Sequence, residues 1–187
     1  MMTTFVPNKH RRSIRLPAYD YSQEGAYYVT ICVENRRCLF GDVAGGQMRL
    51  SDLGQIAGKF WQEIPVHYQN IILDEYVIMP NHIHGIIIIA DACRGVKFNA
   101  PTNARSTNRY SQISPKSGTL SVIIRTYKSA VTHWCKDNRN PHFQWPRNYY
   151  EHIIRNEKSL NKIRQYILEN PYHWDSDEEN PQNIKLL

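Results

Sequence analysis

The sequence predicts an α+β fold: a ferredoxin-like, split βαβ antiparallel sheet with helices on one face, plus a C-terminal helix. Three observations predict it. Stretches rich in β-branched and aromatic residues alternate with stretches of helical periodicity in the order β-α-β-β-α-β-α. Only Pro80-Asn81 separates the second and third strands, so those two form a tight antiparallel pair. The Gly85-Ile86-Ile87-Ile88-Ile89 run is apolar on both faces, as a central strand must be. An α/β layer of different strand order is the rival arrangement.

The elements follow from local chemistry. Ala26 to Val33 is a buried strand, and Gly41, Gly45 and Gly46 mark a loop after it. Ser51 or Asp52 caps a helix on which Leu53, Ile56, Ala57, Phe60, Trp61 and Ile64 form one apolar face, with Pro65 ending it. Ile71 to Met79 and His82 to Ala90 are the second and third strands. Residues 91–118 are rich in Asn, Ser, Thr and Pro, with five Lys or Arg and one acid, which describes a basic insertion loop. Leu120, Ile123, Ile124, Tyr127, Val131 and Trp134 give a second amphipathic helix, with Arg125 and Lys128 on its exposed side. Asn148 to Ile154 is the fourth strand. Asn156 caps the last helix, which runs to Asn170 and stops at Pro171. The organisation expected is a basic N-terminal arm (1–20), one domain (21–174) containing the loop 91–118, and an acidic tail (175–187).

Composition narrows the partners. The formal net charge of +6 suits a polyanion, because Lys and Arg neutralise phosphates and release counterions. Residues 1–16 of the arm hold Lys9, Arg11, Arg12 and Arg15 and no acid. Cys32, Cys38, Cys93 and Cys135 form no CxxC pair, so no zinc ribbon is visible and a reducing compartment is expected. The N-terminus lacks the apolar run of a signal peptide, and no stretch is apolar enough to span a bilayer. The expectation is a cytoplasmic protein without membrane contact.

Two constellations could carry chemistry. In Asn81-His82-Ile83-His84 the histidines lie two apart on a strand, so both imidazoles project from one face and could hold one divalent metal. Such a site needs another ligand, and the last helix offers Asn170 and Glu169, although Asn before Pro is also an ordinary helix end and Glu169 could simply be solvated. The second constellation is Tyr166 with Asn170. Four residues apart on a helix, they stand about 40° apart in azimuth and about 6 Å apart along the axis. Tyr166 lies at the edge of the Leu160, Ile163, Ile167 stripe and would approach whatever that helix packs against. Together they describe a phosphodiester reaction: a metal stabilises charge on the phosphoryl group while a phenolate attacks phosphorus. His152, on the fourth strand, is either a packed sheet residue or a contact to phosphate or to a metal ligand. Arg125 and Arg155 are candidate phosphate contacts.

The chain resembles the REP-associated tyrosine transposases, single-tyrosine members of the HUH single-strand endonuclease superfamily related to the insertion-sequence transposases. The resemblance is carried, in order, by Arg15-Leu16-Pro17 with Tyr19-Asp20-Tyr21, Tyr28-Val29-Thr30, Asn35 to Gly41, Met79 to Gly85, Lys128 to Thr132, Trp145 with Tyr149 to Asn156, and Tyr166-Ile167 with Asn170-Pro171. It implies that His82 and His84 are the HUH metal ligands for Mg²⁺ or Mn²⁺, completed by Asn170. It implies that Tyr166 on the C-terminal helix is the nucleophile, joining a 5′-phosphate and freeing a 3′-OH. The related insertion-sequence transposases carry Gln at the Asn170 position. The implied substrate is single-stranded DNA beside a REP-like hairpin, with Arg11, Arg12 and Arg15 on the flanking nucleotides. Monomer or homodimer, with Tyr in cis or in trans, stays open. The loop 91–118 has no counterpart in the pattern. Two readings compete: a non-cleaving nucleic-acid-binding module that stacks bases on Tyr27, Tyr28, Tyr149 and Tyr150, and a metallo-hydrolase that uses water.

Overall fold

A computed structural model describes residues 23–90, 118–138 and 140–183. The arm 1–20, including Arg11, Arg12 and Arg15, and all of the loop 91–118 except Gly118 lie outside the described residues.

The strands are β1 (Gly25–Cys32), β2 (Gly41–Ala44), β3 (Gln47–Leu50), β4 (Ile71–Ile78), β5 (His82–Ile89) and β6 (Tyr150–Ile154). The helices are α1 (Asp52–Gln62), α2 (Ile64–His67), α3 (Leu120–Asp137) and α4 (Glu157–Glu169). Four strands form one antiparallel sheet in the order β4-β5-β1-β6. This is the split βαβ arrangement: β5 lies between the two strands that α1 connects, and β1 between the two that α3 connects. The α+β, ferredoxin-like expectation holds.

Strand alternation divides the molecule into two cores. Tyr27, Val29, Ile31, Ile83 and Ile87 face α1 and α3, packing with Ala57, Trp61, Ile123, Ile124 and Val131. Tyr28, Ile86 and Ile154 face the other way and meet Ile163 and Ile167 of α4. The last helix therefore covers the face that α1 and α3 leave open. Gly85 faces α1, and a Cβ there would lie 2.3 Å from Cζ2 of buried Trp61, so the glycine is required by packing.

The caps match the sequence expectation. Ser51 Oγ accepts from Gly54 N–H at 3.1 Å and Asn156 Oδ1 from Ser159 N–H at 2.9 Å. Four features differ. Helix α1 ends at Gln62, and Pro65 sits inside the first turn of α2 rather than terminating α1. The glycines after β1 belong to a small β2–β3 hairpin. Strand β6 begins at Tyr150, two residues later than expected. Residues 175–183, expected to form a tail, fold back against β5 and the loop after β1, held by the contacts described below.

Candidate metal and tyrosine centre

His82 opens β5, and alternation turns His82 and His84 toward α4; both are buried. Each imidazole is oriented through its Nδ1. Asn81 Nδ2 donates to the carbonyls of Arg36 (3.0 Å) and Glu179 (2.7 Å), which fixes the amide so that Oδ1 faces His82 Nδ1 at 2.8 Å. An amide oxygen only accepts, so His82 carries its proton on Nδ1 and its lone pair on Nε2. Across the sheet, Thr30 is register partner to His84. Thr30 Oγ1 donates to Tyr28 Oη at 3.2 Å, so it meets His84 Nδ1, 2.9 Å away, as an acceptor. Tyr28 Oη lies 2.8 Å from the same nitrogen. Both Nε2 atoms thus present lone pairs, and they face each other at 3.0 Å.

That spacing suits a shared ion. Two metal–nitrogen bonds of about 2.1 Å at a right angle put the nitrogens about 3.0 Å apart. Asp177 offers a carboxylate oxygen that lies within 4.8 Å of a ligand nitrogen on each histidine. Asn170 is buried, its Nδ2 donates to Asp177 Oδ2 at 3.2 Å, and its Oδ1 has no hydrogen-bond partner among the described residues. A buried amide oxygen left so is costly unless it meets a cation. Two imidazoles, a carboxylate and an amide oxygen form a donor set for a divalent ion.

Helix α4 brings Tyr166 to this group. Ile163 and Ile167 bury the helix on the sheet, and Arg164 forks onto Asp74 of β4, with Nε 2.8 Å from Oδ1. The Tyr166 ring centroid then lies 5.3 Å from that of His84 and 6.3 Å, edge-on, from that of Tyr28. Burial pushes the Tyr166 phenol well up, the negative charge of Asp177 adds to this, and hydrogen bonds with Tyr28 and Asn170 pull it back in part. Burial likewise raises Tyr28.

The segment 172–183 closes the group. The Trp174 ring is 6.1 Å from that of His82. Asp177 Oδ1 accepts from Glu179 N–H at 2.6 Å. Glu179 pairs with Arg36 Nε at 3.2 Å, and Arg36 Nη1 donates to Glu178 O at 2.9 Å. Sequence reasoning missed Asp177 as a candidate, and it missed that Tyr28 and Thr30 orient His84 and that Arg36 holds the 178–179 segment. A signal for the folded segment existed: Asp177, Asn180 and Asn183 after Trp174 are turn-forming residues at regular spacing.

Comparison with known proteins gives a consistent picture. No family model matches the chain. A protein of Haemophilus influenzae (strain ATCC 51907 / DSM 11121 / KW20 / Rd), described as an uncharacterized protein, is 46% identical over 171 residues, covering 90% of this chain and 92% of the relative. The chain belongs to the same family as this relative. Among solved structures it is similar to a REP-associated tyrosine transposase bound to a REP hairpin, with a TM-score of 0.56 and 18% identity, covering 89% of this chain and 74% of the other. The chain shares the fold of that transposase.

On that fold the remaining sequence candidates divide. His82, His84, Asn170 and Tyr166 come together. Glu169 does not: it is exposed and accepts from Gln165 Nε2 at 2.8 Å. His152 is half-buried beside Tyr28 on the face of the histidine pair, and burial and Arg155 lower its pKa, favouring the neutral ring. Arg125 is exposed on α3, across the sheet from the histidines, and Arg155 is exposed just after β6. Lys128, expected on the exposed side of its helix, is half-buried. Its Nζ donates to Pro146 O at 2.9 Å and Asn148 O at 3.1 Å, near the rings of Trp145 and Tyr149. Burial pushes its ammonium down to about 8, and the side chain braces the approach to β6. Among the described residues no helix is long and apolar enough to cross a membrane.

Proposed function

We propose that this protein is a metal-dependent, single-strand DNA endonuclease and strand transferase of the transposase type, acting beside hairpin repeats through a 5′-phosphotyrosine intermediate. The observation that carries the reading is the convergence of Tyr166 on the His82–His84 pair: a phenol ring 5.3 Å from an imidazole whose neighbour nitrogen faces it at 3.0 Å. A structural tyrosine could pack so, but the oriented histidine pair, Asp177 and the buried Asn170 oxygen beside it would then have no purpose.

A bound Mg²⁺ or Mn²⁺ would supply Lewis-acid stabilisation of charge on the scissile phosphate. The chain's residues do the rest. Asn81, Thr30 and Tyr28 hold the imidazoles in their ligating tautomers. Helix α4 aims Tyr166 Oη at phosphorus. The Oη–P bond forms, the P–O3′ bond breaks, and the phenolic proton passes to solvent or to the departing 3′ oxygen, leaving a free 3′-OH and a phosphotyrosine on the 5′ side. Attack by a 3′-OH reverses the step and joins strands. Arg11, Arg12 and Arg15 would bind the flanking nucleotides, with Arg125 and Arg155 as further phosphate contacts. One chain brings Tyr166 beside the histidine pair, which supports a monomer acting in cis over a homodimer acting in trans.

The test is a denaturing gel with end-labelled single-stranded hairpin DNA and Mn²⁺. A covalent protein–DNA band, absent with Tyr166→Phe and with His82→Ala, is expected. Cleavage that survives Tyr166→Phe would transfer the nucleophile to water, the metallo-hydrolase reading. Tight binding without cleavage would favour the non-cleaving module.

A further inference from the structure

Tyr28 does more in this structure than orient His84. It is fully buried, so it offers no face to a base, and its hydroxyl stands between the histidine pair and the nucleophile. Its Oη is 2.8 Å from His84 Nδ1 and 3.2 Å from Thr30 Oγ1. Its ring meets the Tyr166 ring edge-on, with centroids 6.3 Å apart. The Tyr166 phenol hydrogen-bonds with the side chains of Tyr28 and Asn170.

Counting protons sets the direction of each bond. Thr30 Oγ1 donates to Tyr28 Oη. His84 carries its proton on Nδ1 and donates it to the oxygens of Tyr28 and Thr30, 2.8 and 2.9 Å away. A phenol has one proton and two acceptor positions. Both acceptor positions of Tyr28 are thereby met, and its own proton goes to Tyr166 Oη. The Asn170 bond has the same sense. Asn170 Oδ1 has no hydrogen-bond partner among the described residues, so the amide reaches Tyr166 through Nδ2, whose other hydrogen goes to Asp177 Oδ2 at 3.2 Å. Tyr166 Oη therefore receives two donors.

We propose that Tyr28 is a catalytic residue of this centre: with Asn170 Nδ2, its hydroxyl holds the Tyr166 oxygen and stabilises the charge that Oη carries as its bond to phosphorus forms and breaks. The inference deepens the phosphotyrosine reading above and rests on it. As a phenol, the Tyr166 oxygen accepts ordinary hydrogen bonds. In the transition state its proton has left, to solvent or to the departing 3′ oxygen, and its bond to phosphorus is partial. It then carries negative charge and accepts bonds roughly twice as strong. As the bridging oxygen of the phosphotyrosine ester it is a poor acceptor, because its lone pairs are shared with the ring and with phosphorus. A donor on Oη thus lowers the barrier in both directions and disfavours the ester, which keeps the covalent intermediate short-lived.

The test is Tyr28→Phe, which removes one oxygen and keeps the ring. Thr30 Oγ1 remains for His84 Nδ1, so Mn²⁺ affinity by calorimetry should stay within a few-fold of wild type. In single turnovers on hairpin DNA at saturating Mn²⁺, adduct formation should slow by about tenfold or more, as on loss of one donor to a developing charge. The adduct plateau should nevertheless rise a few-fold, because the phenol loses a hydrogen bond that the ester does not make. A merely structural role would lower rate and plateau together. A second readout needs neither metal nor DNA: 3-fluorotyrosine at position 166 reports its own hydrogen bonding by fluorine NMR, and its resonance should shift in Tyr28→Phe. An unchanged resonance, a rate and plateau equal to wild type, or a rate and plateau that fall together overturns the proposal. If Tyr28→Phe does not fold, 3-fluorotyrosine at position 28, a stronger donor of nearly the same shape, should speed adduct formation and lower the plateau; no change there overturns the proposal equally. The two readings fail separately. With no adduct in wild type, the phosphotyrosine reading fails and takes this role with it, while the fluorine shift still reports the Tyr28–Tyr166 contact. A wild-type adduct whose kinetics ignore Tyr28→Phe keeps that reading and sinks this one alone.

Discussion

Asn81→Ala probes how the metal group is held. The Asn81 side chain makes three hydrogen bonds, accepting from His82 Nδ1 and donating to the carbonyls of Arg36 and Glu179, and it is fully buried. Truncation leaves three groups without that partner, two of them in buried contacts and one part-buried. At about 1 kcal/mol or more each, the fold should lose about 3 kcal/mol. The second consequence is chemical. Without an acceptor at Nδ1, the His82 ring can rotate or change tautomer, and loss of such a supporting contact costs about 10–100-fold in metal affinity. Asn81→Asp separates the two effects. It keeps an acceptor for His82 but turns a carboxylate oxygen on the carbonyls of Arg36 and Glu179. Stability should therefore fall at least as far, while Mn²⁺ affinity stays within a few-fold of wild type. Mn²⁺ binding is read by isothermal titration calorimetry or electron paramagnetic resonance, and stability by urea unfolding. Adduct yield in Asn81→Ala should recover as Mn²⁺ is raised. A folded Asn81→Ala protein with unchanged Mn²⁺ affinity would refute the reasoning.

Other predictions follow from single contacts. Asp177→Ala should weaken Mn²⁺ binding by about tenfold or more while the protein stays folded, because Asp177 brings the carboxylate of the group; calorimetry checks it, and wild-type affinity would remove Asp177 from the ligand set. The Arg164 guanidinium beside Asp74 holds its carboxyl below the usual carboxylate range. A depressed carboxylate stabilises the fold above its unfolded pKa of about 3.9, and that contribution is lost as pH falls through the lower folded value. Arg164→Ala should accordingly cost about 1 kcal/mol at neutral pH, with the difference from wild type shrinking below about pH 4 in denaturant melts. Gly85→Ala should destabilise by about 1–3 kcal/mol because its Cβ meets Trp61, and a Trp61→Leu background should cancel much of that penalty in a double-mutant cycle.

How much of this was legible in the sequence depends on distance along the chain. The four sheet strands and three main helices follow from local periodicity. His82 and His84 are readable as a pair because strand alternation is local, and Tyr166 with Asn170 because helical spacing is local. The β2–β3 hairpin escaped notice because its strands are only four residues each, although Gln47-Met48-Arg49-Leu50 alternates polar and apolar residues and Gly45-Gly46 is a turn signal. Asp177 was invisible for a different reason. It reaches the histidines only because residues 172–183 return across the molecule, through contacts such as Asn81 to Glu179 O that span 98 positions. The same long range hides the roles of Tyr28 and Thr30, which act on a histidine more than 50 residues away. Lys128 looked exposed by helical position, yet the chain before β6 folds over it and takes its protons. Periodicity records which face a residue occupies, not what later arrives on that face.

The central claim is that Tyr166 becomes covalently joined to DNA, and mass spectrometry tests it most directly. Wild-type protein is incubated with single-stranded hairpin DNA and Mn²⁺, digested with nuclease and then with trypsin, which cuts after Arg164 and Lys185. The resulting peptide holds both Tyr166 and Tyr172, so fragmentation must assign the modified ring. The account predicts a nucleotide-phosphate adduct on Tyr166, lost without metal and in His82→Ala. An adduct on Tyr172 or any other residue, or cleaved DNA with no adduct, would contradict it.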